Sequence, residues 1–406
     1  MNGAEHREVV IVGAGLLGLA AAYVLGERGR DVVCLEQDDV GSERSGSRGT
    51  SRIFRLGYDD PLYVAMAARA EHDWRSLEAA CAEQLLDPCD VLNFGEGLGE
   101  LMSARDLAGR SPELMAPDEV ASRYPRLAIA GPAVLDPSGG ILRADRALAG
   151  FRSVMRAELR ERVTVTGLDD DGSTTRVSTS AGPLEAGVVV VCAGAGSRQL
   201  LRSAGIECRT VATSEQVAYF SLASDGREAQ SGDVAPLPAV IERRRIGSGV
   251  STGPHEASGW AARPLPGESL HGPGRADQLA LYGLPSPGPD CYKIGVHHTG
   301  PEVDPRAPAP APDDAFTERL VQAARSVLRD IDPVPRLVER CVYDNTADEH
   351  FVIDRIGRIV IGAGTSGHGF KFGPLLGSLL ADLATGSRPT VALERFSARR
   401  PAVAGS

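Results

Sequence analysis

The run Glu8-Val-Val-Ile-Val12 passes without a break into Gly13-x-Gly15-x-x-Gly18, and this junction constrains the fold more than any other stretch. Glycines at that spacing let a chain turn sharply after a buried strand, bring backbone N–H groups against a pyrophosphate and pack the next helix closely. The spacing alone is weak evidence. With 47 glycines in 406 residues, on the order of 0.6 accidental matches are expected. A second copy does occur, at Gly362-x-Gly364-x-x-Gly367. What separates the two is Glu36, 23 positions after Gly13 at the end of Asp31-Val-Val-Cys-Leu-Glu36, where a carboxylate can hold a ribose hydroxyl. The first copy therefore opens a βαβ unit of the Rossmann-like, dinucleotide-binding kind, and its spacing does not distinguish FAD from NAD. Val9 to Leu25 has the length of a signal-peptide apolar region, but glycines interrupt it and every residue serves strand, turn or helix.

At this length two lobes are expected rather than one growing core. Helical patterns cover Pro61 to Glu83, Ala144 to Arg160, Asp313 to Leu328 and Pro374 to Ala384; apolar runs at Gly187 to Ala193 and Arg358 to Ile361 predict buried strands. The stretch Gly247 to Arg275 is rich in Gly, Pro, Ser and Arg and predicts an irregular excursion, and Pro305 to Pro312 predicts a polyproline-like connector. A net charge of -11 disfavours a nucleic-acid partner. Seven cysteines without a C-x-x-C pair fit a reducing compartment, the cytoplasm, rather than a disulfide framework or a zinc cluster. His297 and His298 are adjacent and on a strand would face opposite ways, so no metal site is expected.

Five blocks, in matching order, resemble the monomeric sarcosine oxidase and N-methyltryptophan oxidase family of FAD-dependent amine oxidases, in the D-amino acid oxidase-like superfamily. They are the Gly13 to Glu36 unit; Arg48-Gly-Thr-Ser-Arg52-Ile-Phe-Arg55; Tyr282-Gly-Leu-Pro-Ser286; Cys291-Tyr-Lys293-Ile-Gly-Val-His297; and the C-terminal pair Cys341-Val-Tyr343-x-x-Thr-x-Asp-Glu-His350-Phe and Gly364-Thr-Ser-Gly-His368-Gly-Phe-Lys371-Phe372. The resemblance implies an α/β plus α+β fold, with a Rossmann-like FAD-binding lobe and a substrate lobe built on a large mixed β-sheet. On that basis residues 1–80, 140–210 and 335–406 are expected to form the flavin domain, and 81–139 with 211–334 the substrate domain. Residues 247–275 read as an insertion that alters access to the pocket or an interface.

Arginines and lysines are most often solvated, yet Arg52 and Arg55 stand close to a cofactor turn and offer fork-like donors for a carboxylate. The resemblance implies that Arg55 and Lys371 clamp the substrate carboxylate and that Arg52 lies near the flavin. Lys293, in an apolar strand, faces inward or outward with equal ease on alternation alone. The resemblance puts it over flavin N5, promoting reaction with dioxygen. Cys341 reads by default as buried core; the resemblance makes it the thioether to the flavin 8α-methyl. Tyr282, His297 and Tyr343, ordinary packed side chains by themselves, would line the amine pocket. Cofactor contacts are expected at Gly13, Gly15, Gly18 and Glu36, at Arg48, Thr50, Ser51 and Arg52, at Val163, and at Cys341, Gly367, Gly369 and Lys371.

Val342 and Asp344 differ from the sarcosine enzymes, and an added carboxylate near Tyr343 is expected to favour a cationic amine. Together these readings predict an FAD-dependent oxidase of a secondary or cyclic amino acid or related amine, giving an imine and hydrogen peroxide from dioxygen. It would act without a membrane or nucleic-acid partner, as a monomer or small homo-oligomer. A flavin dehydrogenase using another acceptor and a non-catalytic flavin-binding subunit are the alternatives.

Overall fold

The computed structural model describes residues 4–107, 109, 112–222, 235–244, 281–286, 290–307 and 310–404. The expected insertion at 247–275 lies outside the described residues. Among the described residues, two eight-stranded sheets and a small three-stranded one carry the architecture.

In the first sheet, Glu5–Val12 runs parallel between Leu184–Val191 on one side and Val32–Leu35 on the other. The C-terminal halves of the two longer strands and all of Val32–Leu35 are buried, valine-rich runs, as expected where helices cover both faces. The predicted βαβ opening is present: helix Leu16–Glu27 follows the glycine turn and is buried along most of its length. It packs on the C-terminal helix Gly373–Thr385 through small residues. A Cβ at Gly377 would stand 2.4 Å from the Ala20 Cβ, so the two helices approach at backbone distance. Strand Ile359–Ala363 joins the same sheet parallel to Leu184–Val191, which brings the second glycine turn to the same end as the first.

The helix expected over Ala144 to Arg160 ends at Val154, and Glu158–Arg160 instead forms an edge strand parallel to Val33–Leu35. Met155 is already extended. The apolar spacing at Val154, Met155 and Ala157 prolonged the helical pattern beyond the point where the chain turns to pair with the sheet.

The second sheet has the order Leu337–Asn345, Val211–Ser221, Cys291–Val296, Leu281–Pro285, Ala239–Arg243, Val91–Gly95, Ala133–Asp136, Glu113–Met115. It mixes parallel and antiparallel pairs. Register decides which residues share a face. Tyr219 sits opposite Lys293, Glu215 opposite Cys341 and Thr213 opposite Tyr343, while Gly295 lies opposite Tyr282. These residues form one continuous face, since residues two apart on a strand point the same way. Among the described residues no helix is long and apolar enough to cross a membrane.

Candidate active site

One cavity of about 1950 Å³ runs from the glycine turn to this face of the second sheet. Single small-ligand sites are usually about 300–1,000 Å³, so the volume suits an extended dinucleotide with a substrate beside it. Of the expected cofactor and substrate residues, Gly13, Gly15, Glu36, Arg48, Ser51, Arg52, Arg55, Val163, Tyr282, Lys293, His297, Cys341, Tyr343, Gly367, Gly369 and Lys371 all line it. Gly18 and Thr50 are behind the lining.

At the dinucleotide end, Gly13 has φ +98, and a Cβ on it would come within 2.4 Å of the Cys192 carbonyl oxygen. A Cβ on Gly18 would meet the Gly13 carbonyl oxygen at 1.8 Å; Gly18 thus acts by letting the helix close on the turn. Helix Leu16–Glu27 has no side-chain cap and no acid in its first turn, leaving a positive dipole end for an anion. The Glu36 carboxylate accepts N–H bonds from Ala14 at 2.8 Å and Asp38 at 3.2 Å, and burial raises its carboxyl above the usual range against those bonds. Ser51 Oγ is buried with no protein partner, a hydroxyl left for a ligand. The residues present therefore fit a dinucleotide cofactor.

At the far end the cations gather. Arg52 donates to the carbonyls of Ser51 at 2.9 Å, Gly46 at 3.3 Å and Arg48 at 2.5 Å, and its guanidinium stands 5.4 Å above the Phe370 ring. Arg55 donates to the Gly57 carbonyl and covers the Tyr58 ring at 4.2 Å. Lys293 is 4% exposed and donates to the Ser51 carbonyl at 3.3 Å. Burial, then the nearby Arg52 charge, lowers its ammonium to about 7, while Cys341 and Glu339 oppose that. The inward option left open by alternation is the one realised. Lys371 is 6% exposed and donates to Tyr58 Oη at 2.9 Å and the His368 carbonyl at 2.8 Å. Burial and Arg55 hold it well below the ordinary lysine range.

Between these cations lie aromatic rings. His297 Nδ1 is 3.2 Å from Tyr343 Oη, and its ring is 4.6 Å from that of Tyr282. Burial, reinforced by His298 and Arg55, pushes His297 well below the usual imidazole range, so it is neutral at pH 7. His297 and His298 sit on the turn after strand Cys291–Val296 rather than on a strand, with His298 at φ +56. Gly295 and Gly367 make room: a Cβ on either would strike the Tyr282 or the Tyr343 ring. Burial pushes the Cys341 thiol up to about 11 against the pull of Arg52.

Asp344 departs from expectation. Asp344 borders the cavity, but its carboxylate accepts the Gly364 N–H at 2.6 Å and so fixes the second glycine turn. One step along a strand reverses a side chain's direction, so adjacency to Tyr343 in sequence placed it on the other face. Burial raises it to about 6.

Sequence reasoning missed Tyr58, His368, Tyr219 and Glu339, which also surround the cations. Tyr219 donates to Glu339 at 2.6 Å and its ring lies 5.4 Å from Lys293 Nζ. The only signal for Tyr58 was its place three residues beyond Arg55; His368 stood in the C-terminal block three residues before Lys371 without a role, and Tyr219 and Glu339 carried no signal.

Residues 8–383 match the model of the FAD dependent oxidoreductase family. The chain belongs to this family. It is 28% identical to the peroxisomal sarcosine oxidase of Mus musculus, covering 98% of this chain and 96% of that protein. It is 27% identical to the monomeric sarcosine oxidase of Bacillus sp. (strain NS-129), covering 98% of each. Among solved structures, the open form of NikD, an unusual amino acid oxidase essential for nikkomycin biosynthesis, superposes with a TM-score of 0.78 at 24% identity over 99% of each chain. Glycine oxidase from Geobacillus kaustophilus gives 0.74 at 17% identity, covering 97% of this chain and 98% of the other. The last two likenesses speak for the fold: an α/β dinucleotide lobe joined to a large mixed sheet.

Proposed function

We propose that this protein oxidises the C–N bond of a small secondary or cyclic amino acid, with Arg55 and Lys371 holding the substrate carboxylate and Lys293 serving the dioxygen step. That it is an FAD-dependent oxidase of amines or amino acids rests on its family and on near full-length likeness to sarcosine oxidases. The observation that carries the finer reading is convergence. Two buried lysines, the half-buried Arg55, Cys341 and a ring of neutral aromatic groups line the same cavity as the glycine cradle.

FAD, when bound, would supply the redox chemistry of C–N oxidation with reduction of dioxygen to hydrogen peroxide. The protein's part is positioning and charge. Arg55 and Lys371 fix the carboxylate and so present the amine to the rings of Tyr282, His297 and Tyr343. Neutral His297 offers that amine a polar contact without repelling it. Lys293, a cation in a dry site, stabilises negative charge as it develops on reduction of dioxygen. Arg48 and Arg52 flank the cofactor, and Cys341 is the attachment point for a thioether to the 8α-methyl.

The flavin lobe is taken as 1–80, 140–210 and 335–406 and the substrate lobe as 81–139 and 211–334, except that strand Leu337–Asn345 pairs with Val211–Ser221 in the second sheet and so goes with the substrate lobe. Seven free cysteines support a reducing compartment such as the cytoplasm, with the protein a monomer or small homo-oligomer.

The test is the visible spectrum before and after acid precipitation, with oxygen uptake on an amine panel. Yellow colour that stays with the precipitate, and is released in Cys341→Ser, is expected. Colour released from the unaltered protein removes the thioether. Anaerobic bleaching by amines without oxygen uptake in air would favour a dehydrogenase.

A further inference from the structure

Two cations that must meet on one carboxylate repel each other until it arrives, and the space between Arg55 and Lys371 is filled by a residue with no assigned task. Tyr58 presents its ring face to the Arg55 guanidinium at 4.2 Å and its hydroxyl oxygen to Lys371 Nζ at 2.9 Å. The direction of that hydroxyl is fixed further away. His368 Nε2 is 3.0 Å from the Glu349 carbonyl oxygen, which only accepts, so Nε2 carries the proton. Burial keeps His368 neutral, so Nδ1 bears a lone pair, and Nδ1 is 3.2 Å from Tyr58 Oη. Tyr58 therefore donates to His368, and its oxygen lone pairs turn toward Lys371. Stacking on Tyr63 at 5.3 Å holds the ring. Among the described residues, Lys371 spends two of its three donors on Tyr58 and the His368 carbonyl, which leaves one for a ligand.

We infer that Tyr58 is the positioning residue of the carboxylate clamp, a neutral bridge that accepts from Lys371 and covers Arg55 so that both cations point at one anion. The inference rests on the clamp reading above. It gives Tyr58 selectivity for the ligand's charge, separate from its shape.

The experiment uses FAD-loaded enzyme and two redox-inert probes of equal size, cyclopentanecarboxylate and cyclopentanecarboxamide. Binding is followed by the flavin difference spectrum and by calorimetry. The unaltered enzyme should prefer the carboxylate by roughly 30-fold or more, as charge-assisted pairs allow. Tyr58→Phe should weaken the carboxylate about 10-fold, the usual scale for losing a partner of a charged donor, and leave the amide within about twofold. In a Lys371→Met background the same change should add nothing, because a residue acting through Lys371 has no further effect once it is gone. An unchanged carboxylate-to-amide ratio in Tyr58→Phe overturns the inference, as does an equal loss in the Lys371→Met background. No preference in the unaltered enzyme overturns the clamp itself. Should Tyr58→Phe not retain FAD, His368→Phe removes the acceptor that orients Tyr58. It should cost the carboxylate about 3-fold with the amide unchanged, and an unmoved ratio there overturns the inference equally.

Discussion

Lys293 and Lys371 are buried to almost the same degree, at 4% and 6% exposure, and line the same cavity, yet the protein treats them differently. Lys371 sits on a glycine turn leading into a helix, with its backbone carbonyl accepting the Trp74 indole N–H at 2.8 Å and two acceptors within 3 Å of its ammonium. Lys293 projects from the middle of a sheet and has the Ser51 carbonyl at 3.3 Å with the Tyr219 ring beneath it. The first is an ammonium tied down so that its direction is fixed. The second is held loosely in a hydrophobic setting, where its charge is the valuable property. Desolvation is the leading cause of the lowered values in both, so partners rather than burial set the difference. A carboxylate needs geometry, whereas a small diffusing molecule such as dioxygen needs only a field.

That contrast can be broken by exchanging the losses. Lys293→Met should slow reoxidation of the reduced enzyme by dioxygen about 10²–10³-fold, the scale for removing one preorganised electrostatic group. Anaerobic reduction by the amine should stay within a few-fold. Rapid-mixing measurements of the two half-reactions separate these, and equal slowing of both would make Lys293 a substrate contact. Lys371→Met should do the converse, lowering kcat/KM for a carboxylate-bearing amine by about 10²-fold, mostly through KM, with the dioxygen step unchanged. If both variants weaken the same half-reaction, the division between clamp and field is wrong.

The two lysines were also unequally legible. The glycine cradle could be read because its spacing is set locally: Gly18 must let the helix close on the Gly13 carbonyl oxygen, which a Cβ would meet at 1.8 Å. Lys293 could not be oriented from alternation because strand Cys291–Val296 is buried along nearly its whole length on both faces, leaving no polar side to count against. Its direction came from register with Tyr219 across the sheet, a long-range property. Tyr58 and His368 meet across 310 positions of chain, which no motif spacing records. Asp344 misled for the opposite reason, since nearness in sequence on a strand means opposite faces. The resemblance to amine oxidases named Lys371 and Arg55, and it said nothing of the tyrosine between them.

A pH effect sharpens the comparison in the flavin-free protein. Folded Lys293 titrates near 7 against an ordinary lysine value of 10.5. Between those values the unfolded chain holds a proton that the folded protein has given up. Stability from this group is therefore lowest below pH 7 and rises with pH across the window. Lys293→Met removes the penalty, so the variant should be more stable than the parent near pH 6.5 by a few kcal/mol at most, and the gap should narrow by pH 9. Thermal melts of both proteins at the two pH values measure it. A gap of constant size would mean that the ammonium finds compensation in the fold, through the Tyr219 ring and Glu339, and that burial does not depress its titration.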